Sequence, residues 1–424
     1  MHISTITFYP LLLATCLLVN LPSSLALASD TSGPESNGFD LEVHGYGDMQ
    51  FAYFDHGLNQ NQEGGASQDS RVTFDLARLI FEIEGKMPSD VEFEAEIEFE
   101  HGGTGAAMEL EYEEFGEYEA DIESGGEVVV EQLYLKKQFF NQRISIKVGR
   151  FYVAYGLLPA RHKPTDYLAT IRPESETTLI PGVWDEMGFE LKYTASKFSG
   201  TLQLVNGLDS TGFSSQRWIA LGHQGRFEVV NATNPAVVGR LDFTPTDRFM
   251  MGTSVYFGDT VGNRPKPDMG DMSAPVLLLS SHFQLNHQWL RAQGAVLYGH
   301  LSNAEEISKS NRLLSNNLDV LRSAIADEAF GSWLEVGSNV IGHRVDPTKH
   351  QLEPFVRVEY YDTMFSTGDN TYDNPRFERT VIGGGVSHTY QQSIALKLDF
   401  SNRSFGEPDI RDEKTVRLAT SFLF

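Results

Sequence analysis

The chain has a single cysteine, Cys16, which lies inside an apolar run near the N-terminus. No disulfide framework can therefore brace the fold. Beyond residue 28 there is no uninterrupted apolar stretch of the roughly eighteen residues that a membrane-crossing helix needs. Basic residues are few, 33 Lys and Arg against 58 Asp and Glu, and the net charge of −25 argues against nucleic acid as a partner. The chain also contains no Gly-x-Ser-x-Gly elbow, His-Glu-x-x-His zinc helix, phosphate-binding glycine loop or cysteine ligand pair. The expectation is a protein with no catalytic site, no cofactor and no resident metal.

The first 28 residues carry no Asp, Glu, Lys or Arg. Leu11 to Val19 is apolar, and Pro22 and Ala26-Leu27-Ala28 follow. This is the pattern of a secretory signal peptide cut after Ala28. Residues 29–38 then read as an N-terminal periplasmic segment and 39–424 as one large domain. Mean hydropathy is −0.27, too polar for a helical membrane protein. It suits a transmembrane β-barrel, in which only every second strand residue meets lipid.

The rest of the chain supports that class. Val416, Leu418, Thr420, Phe422 and Phe424 alternate with Arg417, Ala419, Ser421 and Leu423. A period of two makes a strand with two unlike faces. Similar stretches recur near 39–54, 71–85, 90–101, 127–139, 142–151, 187–195, 198–206, 235–244, 247–257, 275–287, 290–301, 329–341, 351–362, 378–390, 393–402 and 413–424. Tight turns such as Lys86–Ser89, Asn141, Ser196-Lys197, Pro245-Thr246 and Gln391-Gln392 alternate with long polar links such as 102–126, 152–186 and 207–234. The predicted fold is all-β: a transmembrane antiparallel β-barrel of about 16 strands with short periplasmic turns and long extracellular loops. The phase of the alternation slips in 71–85 and 127–139, which either a β-bulge or a different strand register would explain. Helical spacing over Ala304–Ala326 predicts a short helix packed on the barrel mouth.

Three charge constellations stand out. Glu92, Glu94, Glu96, Glu98 and Glu100 alternate with Val91, Phe93, Ala95, Ile97 and Phe99. If the apolar row meets lipid, the carboxylates form a ladder lining a water-filled lumen. Lys147, Arg150, Arg161, Lys163 and Arg172 form a basic group in and just before the proline-punctuated link 152–186. Folded inward, that link would set cations against the ladder and create a field across a constriction. Glu109, Glu111, Glu113, Glu114, Glu117, Glu119, Asp121, Glu123 and Glu127 make an acidic external loop without the spacing of a defined Ca²⁺ loop. It reads as a solvated surface.

Phe74-Asp75-Leu76-Ala77-Arg78-Leu79 running into Glu84-Gly85-Lys86, then Asp90-Val91-Glu92-Phe93, resembles an early hairpin of the phosphate-selective porin O/P family. Val148-Gly149-Arg150-Phe151 and Ala154-Tyr155-Gly156-Leu157 resemble that family's strand into its third, constricting loop. Leu352 to Tyr360 resembles a late strand of the same porins. The resemblance implies sixteen strands, a central pore, a trimer and an outer-membrane location among lipid and lipopolysaccharide. Phosphate-selective members carry a basic ladder, whereas here the regular ladder is acidic. The expected function is therefore passive diffusion of small hydrophilic solutes and ions, general or cation-leaning. The alternatives are an anion- or phosphate-selective porin and a closed structural or adhesive barrel.

Overall fold

The computed structural model describes residues 40–57, 70–87, 90–103, 105–106, 109–111, 119–121, 124–158, 162–224, 230–314, 322–341 and 349–424. The predicted signal peptide, the 29–38 segment, Arg161, and Glu113, Glu114, Glu117 and Glu123 of the acidic external loop lie outside these residues.

Sixteen antiparallel strands close into one barrel in simple chain order. They are β1 Asp40–Phe54, β2 Arg71–Lys86, β3 Val91–Glu100, β4 Val128–Phe139, β5 Ile144–Tyr152, β6 Asp185–Thr194, β7 Phe198–Asn206, β8 Pro235–Thr246, β9 Phe249–Asp259, β10 Pro275–His287, β11 Leu290–Leu301, β12 Glu328–Gly337, β13 His350–Ser366, β14 Glu378–Tyr390, β15 Ile394–Phe405 and β16 Glu413–Leu423. Each predicted strand has a counterpart. The turn expected at Pro245-Thr246 falls two residues later, because β8 keeps pairing as far as Thr246 opposite Phe249. Within the 102–126 link, Gly105–Ala106 pairs with Ser124–Gly125, and Glu109–Glu111 with Glu119–Asp121. This ladder was not legible in the sequence.

Closure joins β1 to β16, from Tyr46 opposite Leu423 to Phe54 opposite Thr415. A closed ring leaves no sheet edge and satisfies the backbone within hydrocarbon. Two glycines make room at the seam. A Cβ on Gly47 would come within 2.6 Å of the Phe422 ring, and one on Gly45 within 2.7 Å of the Phe424 ring.

The outer face follows from the period of two. Ile394, Leu396, Leu398 and Phe400 are exposed, whereas Ala395, Lys397 and Asp399 between them are buried. Val416, Leu418 and Phe422 are likewise exposed beside buried Arg417, Ala419 and Ser421. The apolar rows face lipid and the polar rows face the lumen. Exposed Phe140, Tyr193, Phe198 and Trp289 gather near the short turns, where a membrane interface favours aromatic rings.

The two phase slips prove to be bulges, not misread registers. In β2, Val72, Phe74 and Leu76 are exposed, but Arg78, Ile80 and Glu82 are buried. The pairing with β1 shifts across this point, between Asp48 and Gln50. In β4 the pairing with β3 shifts between Glu96 and Ile97, so that consecutive Glu131 and Gln132 are both buried. An inserted residue re-aims side chains in this way. Of the helix expected over Ala304–Ala326, the described residues show Ala304–Asn311, with Ile307 buried, and 315–321 lie outside the described residues.

Candidate functional site: the lumen and its inward loop

The ladder residues meet partners on lumen-facing positions. Glu92 pairs with Lys136 at 2.7 Å. Glu94 accepts from Gln132 at 3.1 Å and from the Tyr134 hydroxyl. Glu96 accepts from Gln132 at 2.5 Å. Glu98 lies 3.7 Å from Arg78. Glu100 ends the row at the external end of β3, half-buried.

The described residues after β5, 153–158 and 162–184, turn into the barrel, where they bond to its wall on several sides. Near its start, the Gly156 N–H donates to Ser254 Oγ on β9 at 3.0 Å, and Arg240 on β8 donates to the Gly156 carbonyl at 2.6 Å. The His162 carbonyl accepts from Arg78 on β2 at 3.0 Å. Farther along, the N–H groups of Leu168 and Ala169 donate to Glu335 on β12 at 2.8 and 3.2 Å. The Thr170 N–H donates to Asp399 on β15 at 2.6 Å. Lys397, also on β15, donates to the carbonyls of Pro164, Tyr167 and Ala169. Arg357 on β13 donates to the Ile171 carbonyl at 2.8 Å. An irregular segment carries many unpaired backbone groups, and the polar lumen wall supplies their partners.

The loop holds its own shape through α1, Glu174–Leu179. The Glu176 carboxylate accepts from the Leu157 and Leu158 N–H groups at 2.9 and 3.2 Å, tying the two limbs together, and from the Trp333 indole at 2.9 Å. Glu174 accepts from Arg403 at 2.8 Å and from the Tyr361 hydroxyl at 3.1 Å.

The basic constellation is divided by this packing. Lys147 and Arg150 belong to the β5 wall. Lys147 lies 3.9 Å from Glu190 and over the Tyr134 ring, and Arg150 pairs with Asp185. Arg172 turns back to the Gly182 carbonyl within the loop. Lys163 faces the acidic wall, 2.7 Å from Glu82. Among the described members, Lys163 is thus the one that both sits on the loop and opposes wall carboxylates. The field expected of five cations is reduced accordingly.

The lumen is not aqueous throughout. Tyr155, Leu157, Leu158, Leu179, Ile180 and Trp184 of the loop join Phe213, Trp218 and Ile219 of the 207–234 link in one apolar core. It packs on inward residues of β8 to β11, among them Val238, Tyr256, Leu278 and Leu297. An open cavity of about 460 Å³ remains beside it, between the loop and the walls of β2 to β8. Seven carboxylates line it (Glu82, Glu84, Glu94, Glu96, Asp166, Glu190 and Asp242) against four cations, Lys147, Lys163, Lys192 and Arg240.

Several key residues escaped the sequence reading. Glu131 is at a β4 bulge, and its signal was the broken phase around Val130-Glu131-Gln132. Lys397 and Glu335 alternate with apolar neighbours like any lumen residue. Nothing local marked them as loop anchors.

Comparison with known proteins agrees with the fold. Residues 47–170 match the family model of phosphate-selective porin O and P, a span that contains the first two motifs quoted above. No curated protein matches the chain. Among solved structures, the outer membrane channel DcaP of Acinetobacter baumannii aligns with TM-score 0.53 at 12% identity, over 94% of this chain and 100% of that one. An anion-selective porin from Comamonas acidovorans aligns at 0.52 and 11%, over 91% of this chain and all of that one. The trimer form of in-vitro folded OmpT, an outer membrane protein of Vibrio cholerae, aligns at 0.50 and 8%, over 91% of this chain and 99% of that one. The barrel is that of outer-membrane porins, and the outer membrane is its location.

Proposed function

We propose, from the premise that this chain is an outer-membrane barrel of the phosphate-selective porin O and P family by its match over residues 47–170, that it forms a cation-leaning passive channel for small hydrophilic solutes. The route runs through the cavity beside the inward loop. The observation that carries the reading is the charge around that cavity, seven carboxylates against four cations. The Glu92–Glu100 ladder supplies two of those carboxylates, Glu94 and Glu96. Cations elsewhere in the lumen, such as Lys397 and Arg357, are engaged with loop carbonyls and do not face the route. A charged wall of one sign raises the local concentration of the opposite ion. Like the Vibrio cholerae relative solved as a trimer, the chain would assemble as a homotrimer.

A second reading, an anion-selective channel, is favoured by the name of the matching family and by the anion-selective relative from Comamonas acidovorans. Planar-bilayer recording in a salt gradient separates the two. A cation-leaning reversal potential supports the first reading, and an anion-leaning one supports the second. Absence of conductance would instead favour a closed barrel filled by the apolar core.

A further inference from the structure

Where the inward loop passes β3 and β4, three side chains from separate segments converge. His162 comes from the loop, Glu96 from β3 and Glu131 from the β4 bulge. The His162 Nε2 lies 3.6 Å from Glu96 Oε1 and 3.7 Å from Glu131 Oε2, and the three ligand atoms all fall within 4.8 Å of one another. The three residues are 4%, 2% and 2% exposed. Two ligands about 2.1 Å from a tetrahedral metal stand roughly 3.4 Å apart, so the two His162 spacings need only a slight contraction to hold one, and the two carboxylates close from within 4.8 Å.

Carboxylates outnumber cations around these three residues. Glu98, 2% exposed, faces Glu131 at hydrogen-bond range, and its Oε1 has no hydrogen-bond donor. The cation beside it is Arg78, 3.7 Å away. Three buried carboxylates therefore gather about two guanidinium groups, Arg78 and the more distant Arg172. Buried carboxylates are costly unless they are paired or bound to a cation. The outer groups are also placed as a metal site needs them. Gln132 fixes Glu96 through its other oxygen at 2.5 Å, and the Tyr152 hydroxyl donates to Glu131 Oε2 at 2.6 Å. That hydroxyl also lies 3.2 Å from His162 Nε2, so it adjoins two of the three ligand atoms. Such bonds orient ligands before a metal arrives.

We propose that Glu96, Glu131 and His162 form a binding site for a divalent transition-metal cation that fastens the inward loop to the barrel wall. An imidazole with carboxylates suits zinc or manganese, whereas calcium and magnesium prefer oxygen ligands alone. The site departs from the sequence expectation of no resident metal. It does not depend on whether the barrel conducts, so metal binding and ion conduction can fail separately. Loop and wall are joined here between residues more than thirty positions apart in sequence. A metal would therefore stabilise the inward position of the loop, not merely decorate it.

Isothermal titration of the full barrel in detergent, stripped with chelator and supplied with Zn²⁺, tests the site. The expected result is one Zn²⁺ per chain, bound at least tenfold more tightly than Ca²⁺ or Mg²⁺. His162→Asn and Glu131→Gln should each weaken zinc binding at least tenfold, while His44→Asn at an exposed position should leave it unchanged. No zinc uptake by the wild type, or equal uptake by His162→Asn, overturns the proposal. Thermal unfolding of the wild type gives a second readout that needs no variant. Zinc should raise the midpoint, and an unchanged midpoint with saturating zinc overturns the role in fastening the loop.

Discussion

The two sides of the lumen are charged in different ways and put that charge to different uses. On β12, β13 and β15, cations and carboxylates are consumed by the inward loop. Lys397 caps three loop carbonyls, Glu335 takes two loop N–H groups, and Arg357 binds Ile171 while lying 3.0 Å from Glu359. On β2 and β3, by contrast, loop contacts are fewer and several carboxylates line the open cavity. A buried polar residue can fix a backbone or bias an ion, but a side chain committed to three carbonyls has no donors left for a solute. Counting lumen charges would have treated the two sides alike. Their partners separate an anchoring side from a side that faces the route.

This contrast can be broken at its strongest anchor. Replacing Lys397 by Ala removes the donor to three buried carbonyls, and an uncompensated buried network of this kind costs about 3–5 kcal/mol. Urea unfolding should show that loss, and single-channel conductance should rise and become noisier as the loop loosens. Unchanged conductance would mean that the loop does not bound the route.

Glu176→Ala should come next, at about 2–4 kcal/mol, because it strands two loop N–H groups and the Trp333 indole. The change can be read by the same unfolding assay.

The acidic side gives a smaller effect on stability and a larger one on selectivity. Converting Glu92, Glu94, Glu96, Glu98 and Glu100 together to Gln should shift the cation-to-anion preference about fivefold towards anions. That is the size of about 1 kcal/mol, the interaction of two charges 4 Å apart in water. Reversal potentials measure it. An unshifted potential would sever the ladder from the route.

The smallest expected effect lies in the external link 260–274, away from both sides. The Arg264 guanidinium, bonded to Asp268 at 2.7 Å, holds that carboxyl below its ordinary range. A carboxyl with a lowered folded value lends stability above its unfolded value, and that stability is lost as pH falls through the lowered one. Asp268→Asn should cost under about 1 kcal/mol near neutral pH and nothing in strong acid. Thermal midpoints at the two pH values would show it.

Much of the barrel was legible because strand alternation is a local property. The rows at 394–400 and 416–422 announced their lipid and lumen faces two residues at a time, and the structure keeps them. The phase slips in 71–85 and 127–139 were visible for the same reason, and the structure resolves them as bulges. The loop was legible only as a proline-punctuated link with cations. Its fate depends on partners such as Asp399 for Thr170, separated by 229 positions, which no local pattern can pair.

The sequence alone determined the number of strands, their faces and the alternation of short turns with long links, since a two-residue repeat and a turn residue each act within a few bonds. Tertiary structure alone decided which lumen charges hold the loop, which line the cavity and how far an apolar core fills the barrel. Those outcomes follow from groups distant in the chain competing for a few buried partners, and that competition exists only once the ring has closed.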